Sequence, residues 1–151
     1  MKALGILNLR RLWLVLMSVM LLHASIVMAG NLIVPDQIEG ATRVTAEDVI
    51  NLVMLEPEVV IIDSRKQQPF DDGHIQDAVN ILDSKMTENS LADMVPNKST
   101  PVVFYCNGET CLRSANAATK AYHWGYSRVY WFRGGWKEWV DKEMPVSRVK
   151  K

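Results

Sequence analysis

Apolar positions in this chain gather into short, dense runs separated by polar, glycine-bearing or helix-periodic stretches. Val59-Val60-Ile61-Ile62 is continuous and β-branched, the pattern of a strand covered on both faces. Pro101-Val102-Val103-Phe104-Tyr105 is the strongest such run and ends at Cys106. Val129-Tyr130-Trp131-Phe132 is a third, and Ala78-Val79-Asn80-Ile81 a weaker fourth. Helical spacing lies between them. Thr45 precedes Glu47 and Asp48 as an N-cap before first-turn acids, and Val49, Leu52, Val53 and Leu55 recur at helical intervals up to Glu56-Pro57. Leu91 to Val95 is a weak helical piece. Arg113 to Trp124, rich in alanine, predicts a helix closed by Gly125. A Gly134-Gly135 turn then leads to a last helix over Trp136 to Val140. Ser64 to His74 reads as a loop with one helical turn near Pro69-Phe70. Buried strands alternating with helices predict an α/β domain with a mainly parallel sheet, in which sites collect at the carboxyl ends of strands.

The first 29 residues have a different character. Lys2, Arg10 and Arg11 flank a start without acids, an apolar run follows from Leu12 to Leu22, and Val27 and Ala29 stand where a signal peptidase reads small residues. Residues 1–29 therefore read as a signal peptide cleaved before Gly30, which makes the protein periplasmic or otherwise exported. The rival reading is an uncleaved anchor, since residues 12–29 approach the roughly 18 apolar residues that span a bilayer; that would be the chain's only membrane contact, with the domain facing the non-cytoplasmic side. Residues 30–40, with Pro35 and no clear period, read as an arm, residues 41–147 as the domain and residues 148–151 as a basic tail.

Without the leader, 14 Lys and Arg face 17 Asp and Glu, a weakly acidic balance with no electrostatic footprint for nucleic acid. No spacing among His74, His123, Cys106 and Cys111 resembles a zinc site. The domain is large enough to fold without disulfide staples, so the two cysteines require a local explanation.

That explanation is the stretch Cys106-Asn107-Gly108-Glu109-Thr110-Cys111-Leu112-Arg113, which joins the strongest strand to the alanine-rich helix. A curled loop of backbone N–H groups and a helix N-terminus form an anion nest, and Arg113 adds a planar cationic fork. Such surroundings favour a thiolate, so the expected pKa of Cys106 is lowered and its sulfur is the expected nucleophile. The plainer alternative is a small apolar residue finishing a strand.

At this loop the chain resembles the rhodanese domain of sulfurtransferases. Further patches support the likeness: Ile61 to Arg65, Phe70 to Ile75 leading into Ala78 to Ile81, Pro101 to Cys106, and Tyr130 to Trp136 with Trp139. The resemblance implies a three-layer domain whose five-stranded, mainly parallel sheet is flanked by helices. It also implies that Cys106 takes a sulfane sulfur from a small thiosulfate-like anion as a persulfide and passes it to cyanide, a thiol or a protein acceptor. The backbone of Asn107 to Leu112 would cradle that persulfide, and no cofactor or metal is called for. A non-catalytic module that binds a partner or carries sulfur is the alternative from another class.

Two departures from the family pattern stand out. The loop is longer than usual, and related phosphatases with this fold also have long loops, although Arg113 stands one position too far from Cys106 to match their motif. Cys111 is the second departure. It reads as a resolving thiol able to close a disulfide with Cys106 in a redox role, as an incidental thiol, or as the reactive one in place of Cys106. Asp63 and Arg65 match the family's Asp-x-Arg and read either as a possible rim of the site or as a structural tie. His74 reads as part of a patch that shapes the fold, the tryptophans as packing, and Glu109 as an acid that opposes anions unless it points to solvent.

Overall fold

The computed structural model describes residues 34–149. The leader expected over residues 1–29 and the last two residues of the basic tail lie outside them. Along the chain run β1 (Ala41–Val44), α1 (Ala46–Leu55), β2 (Val60–Asp63), α2 (Gln67–Asp72), β3 (His74–Ile75), β4 (Val79–Asn80), α3 (Glu88–Ala92), β5 (Val102–Tyr105), α4 (Leu112–His123), β6 (Val129–Phe132), α5 (Gly135–Asp141) and β7 (Val146–Ser147). Five strands form one sheet in the order β1-β6-β5-β2-β4, every pair parallel. The architecture is the α/β fold with a five-stranded parallel sheet flanked by helices.

Alternation along the central strands divides the core in two. Phe104 and Val102 of β5, Trp131 and Val129 of β6 and Ile62 of β2 pack against Ala115, Ala117, Ala118 and Ala121 of α4 and Leu91 of α3. Val103 and Tyr105, Phe132 and Ile61 face the other way, against Val49 of α1, Phe70 of α2 and Trp139 of α5. Both faces are thus covered, and this is why the strands read as unbroken apolar runs. The register aligns Val44, Phe132, Tyr105 and Asp63 in one row. The loops that leave these strands therefore emerge along a single edge.

The helix predicted from Thr45 forms with a full capping box: Thr45 Oγ1 accepts from the Asp48 amide and Asp48 accepts from the Thr45 amide. Its apolar stripe is shallower than the spacing suggests. Ala46 and Val49 are buried, whereas Val53 and Leu55 are 44% and 79% exposed. Three elements were not legible. β1 has the composition ATRV and lies at the sheet edge beside β6, so it shows no apolar alternation. β3 and β7, two residues each, pair antiparallel away from the main sheet. α3 starts at Glu88, earlier than the expected piece at Leu91, because Thr87 and Ser90 close a second capping box.

Asp63 and Arg65 lie inside the domain, 0% and 2% exposed, so the pair is a tie and not a rim. The Arg65 guanidinium donates to both Asp63 oxygens and to the Gly73 carbonyl at 2.6 Å, and it stacks over Trp136 with its carbon 4.7 Å from the ring centre. The Tyr105 hydroxyl donates to Asp63, while Asn80 donates to the carbonyls of Asp63 and Arg65. Burial, and then the Asp63 charge, push the Tyr105 phenol up, so it stays a donor. One ion pair thereby locks β2, β4, β5 and the α2–β3 corner together. Replacing Arg65 by Met should lower unfolding stability by about 3–5 kcal/mol, because it leaves the Asp63 carboxylate buried and unpaired; urea titration of the variant against the parent chain measures this.

Candidate active site

Cys106 follows β5 at the edge where the strand ends align, and its side chain is fully buried. From there the loop curls: the Cys111 amide donates to the Gly108 carbonyl at 2.9 Å, and Cys111 becomes the N-cap of α4. The outer side of the loop is held by α5. Its Trp136 and Lys137 amides donate to the carbonyls of Cys106 at 2.8 Å and Asn107 at 3.0 Å. Gly135, with φ +56, permits this approach, since a Cβ there would lie 2.4 Å from the Cys106 carbonyl oxygen. With those carbonyls turned toward α5, amides on the opposite side of the loop are free to face sulfur.

Two sulfurs share that inner side. Cys106 Sγ donates to the Cys111 carbonyl at 3.2 Å and accepts from Ser114 Oγ at 3.2 Å, and Trp131 Nε1 in turn donates to Ser114 Oγ at 3.0 Å. Cys111 Sγ, half-buried at the loop mouth, receives the Arg113 guanidinium at 3.8 Å and the backbone N–H groups of Asn107 and Arg113. The two thiols also interact with each other, which moves their ionisations apart. Cys111 is drawn down to about 5, first by the Cys106 thiol and then by the two amides and the Arg113 charge. Cys106 is pushed up by the hydrogen bond with Cys111 and by burial. The expected lowering at Cys106 is thus corrected: the amides and the cation converge on the neighbouring sulfur.

The other loop residues fall into place around this pair. Glu109 points outward, with a side chain 64% exposed and 3.9 Å from Arg43, so it does not face the sulfurs. Asn107, Gly108, Glu109 and Thr110 line a cleft of about 600 Å³ on the α5 side, shared with Lys137 and Lys142. Leu112 and Arg113 open the first turn of α4. His74 Nδ1–H donates to the Phe70 carbonyl at 2.8 Å and the imidazole stacks on the Phe70 ring, a structural role away from the thiols. No group of three or more His, Cys, Asp or Glu placed to hold a metal occurs among the described residues. Sequence reasoning missed the Trp131–Ser114–Cys106 relay; a tryptophan in a strand and a serine in a helix give no signal until the fold brings them together.

Residues 45–142 match the rhodanese-like domain. The chain belongs to the rhodanese family. It is 30% identical over 115 residues to the uncharacterized protein YibN of Escherichia coli strain K12, covering 76% of each chain. Among solved structures, the BH2092 protein of Bacillus halodurans superposes with TM-score 0.65 at 23% identity, over 72% of this chain and 78% of that one, a likeness of fold. A rhodanese of Escherichia coli solved with anions gives TM-score 0.51 at 29% identity, over 60% and 98%. In this rhodanese-like domain the strand-end cysteine is followed by a loop that brings the Cys111 carbonyl within 3.2 Å of its sulfur.

Alkylation of Cys111 by iodoacetamide should already be near its plateau at pH 7, because a thiolate persists above its pKa, and should fall off only as pH drops toward about 5; an ordinary thiol, near 8.5, would still be climbing at pH 7. Peptide mapping should find Cys106 unlabelled until the chain is denatured. Gly135→Ala should lower stability by about 2 kcal/mol or more, because it adds a strained φ and a backbone clash, and should blunt the selective labelling of Cys111; urea titration and the same mapping read both effects.

Proposed function

We propose that this rhodanese-like protein is a sulfurtransferase, which takes a sulfane sulfur from a small anionic donor such as thiosulfate onto the Cys106–Cys111 loop as a persulfide. It then hands the sulfur to cyanide, a small thiol or a protein thiol. The observation that carries this reading is the convergence of a helix N-terminus, inward amides and the Arg113 guanidinium on the Cys111 thiol, in the loop that follows a central strand. Positive charge and N–H donors attract the anionic donor and stabilise the terminal sulfur of a persulfide, and the lowered thiol pKa supplies the nucleophile at neutral pH. On the sequence alone the carrier is Cys106; in the folded loop two sulfurs compete for that role.

Residues 1–29 extend the proposal to location. Their charged start, apolar centre and small-residue end support work in the periplasm or another exported setting, with attachment through residues 12–29 if the leader stays on. An oxidising compartment also suits a loop with two adjacent thiols.

The test is thiocyanate production from thiosulfate and cyanide by the full reduced chain. Turnover is expected for the parent and only the uncatalysed background for the Cys106→Ser/Cys111→Ser double variant. A parent chain no faster than the double variant would leave a binding module instead.

A further inference from the structure

The loop contains more than a rhodanese reaction needs: a second sulfur, partly open to solvent, lying against the first. Resting on the sulfurtransferase reading above, we infer that sulfur enters on Cys111 and that buried Cys106 is the resolving thiol, closing a Cys106–Cys111 disulfide that releases the sulfane sulfur as hydrosulfide. Access is the first argument. Cys106 is 0% exposed, whereas Cys111 is reachable at the loop mouth, so a donor meets Cys111 first. Charge is the second. Arg113 lies 3.8 Å from the Cys111 sulfur, beside the amides of Asn107 and Arg113 at the N-terminus of the twelve-residue α4. Proton placement is the third. The Cys106 thiol donates to the Cys111 carbonyl and so keeps its hydrogen while Cys111 is ionised.

The steps balance without an outside oxidant. The Cys111 thiolate attacks the outer sulfur of thiosulfate, the donor S–S bond breaks, and sulfite departs with the electron pair, leaving a Cys111 persulfide anion. The Cys106 thiol passes its proton to the outer persulfide sulfur and becomes a thiolate. Ser114 Oγ, donating to Cys106 Sγ at 3.2 Å and itself held by Trp131, stabilises that transient charge. Cys106 then attacks the inner sulfur of Cys111, and hydrosulfide leaves with the electrons of the broken S–S bond. The two cysteine sulfurs are oxidised to a disulfide, and the sulfane sulfur is reduced to sulfide. A dithiol reductant resets the loop by thiol–disulfide exchange. The loop already brings the two residues together, since the Cys106 sulfur lies 3.2 Å from the Cys111 carbonyl oxygen. An acceptor that arrives before closure takes the outer sulfur directly, as ordinary transfer requires. Ser114 is a positioning residue here, acting through Cys106.

The experiment treats the reduced full chain with thiosulfate alone and follows intact mass, released sulfide and peptide maps after rapid alkylation. In the parent, one sulfur should appear first on the Cys111 peptide. The mass should then settle at a loss of two hydrogens, with about one equivalent of sulfide per chain released. Cys106→Ser should gain one sulfur that stays until cyanide removes it, with sulfide release lost; Cys111→Ser should gain none. Ser114→Ala should lower the rate of sulfide release several-fold relative to the rate of sulfur loading on Cys111, a change in ratio that a merely structural role would not produce. Circular dichroism checks that each variant is folded, and the parent's own peptide map decides the site if one is not. Sulfur on Cys106 in the parent map, or loading of Cys111→Ser and not Cys106→Ser, overturns the inference and leaves sulfur transfer intact. A persulfide that persists in the parent with no sulfide overturns the closure step. Absence of sulfur in the parent removes the sulfurtransferase reading as well.

Discussion

The chemistry of this protein depends on two hydrogen bonds that do not touch sulfur: those from the Trp136 and Lys137 amides of α5 to the carbonyls of Cys106 and Asn107. A peptide plane that turns its oxygen one way turns its N–H the other. By fixing the carbonyls on the α5 side, these bonds orient the start of the loop so that the Asn107 amide faces the thiols. Gly135 is the residue that lets the two segments come so close. The anion cradle is therefore made jointly by the loop and by a helix that follows another strand.

The same edge shows how buried polar groups are used in two different ways. The Asp63–Arg65 pair, with Tyr105, Asn80 and Gly73, satisfies its charges internally and welds strand ends together. Its worth lies in positional fixity more than in net stability, because desolvation offsets much of the attraction. The Cys106–Cys111 pair next to it is satisfied only in part by fixed donors and remains half open to solvent. A closed network holds the frame, and a partly open one is left for chemistry.

Placing two thiols in contact changes what each can be. Each responds to its own surroundings and to the other, and the less buried sulfur, beside Arg113 and two amides, takes the charge. Burial gives Cys106 the opposite character, a protonated sulfur shielded behind its neighbour. The loop is what allows this division, since it places a second cysteine at the N-cap of α4.

The sequence by itself determined the central strands, because sheets covered on both faces demand unbroken apolar runs, and it determined α1 and α4, whose cap and alanine spacing are local signals. It also located the loop, since a cysteine at the end of the best strand before a helix is visible without coordinates. Tertiary structure alone decided the rest. β1 is an edge strand defined by pairing with β6 and not by its own residues, and Asp63 and Arg65 read as rim or tie until burial made them a tie. Which sulfur bears the charge was equally beyond the sequence. Ionisation is set by exposure, by amide direction and by a helix contact made from a distant part of the chain, and none of these is a property of the residue or of its neighbours in sequence.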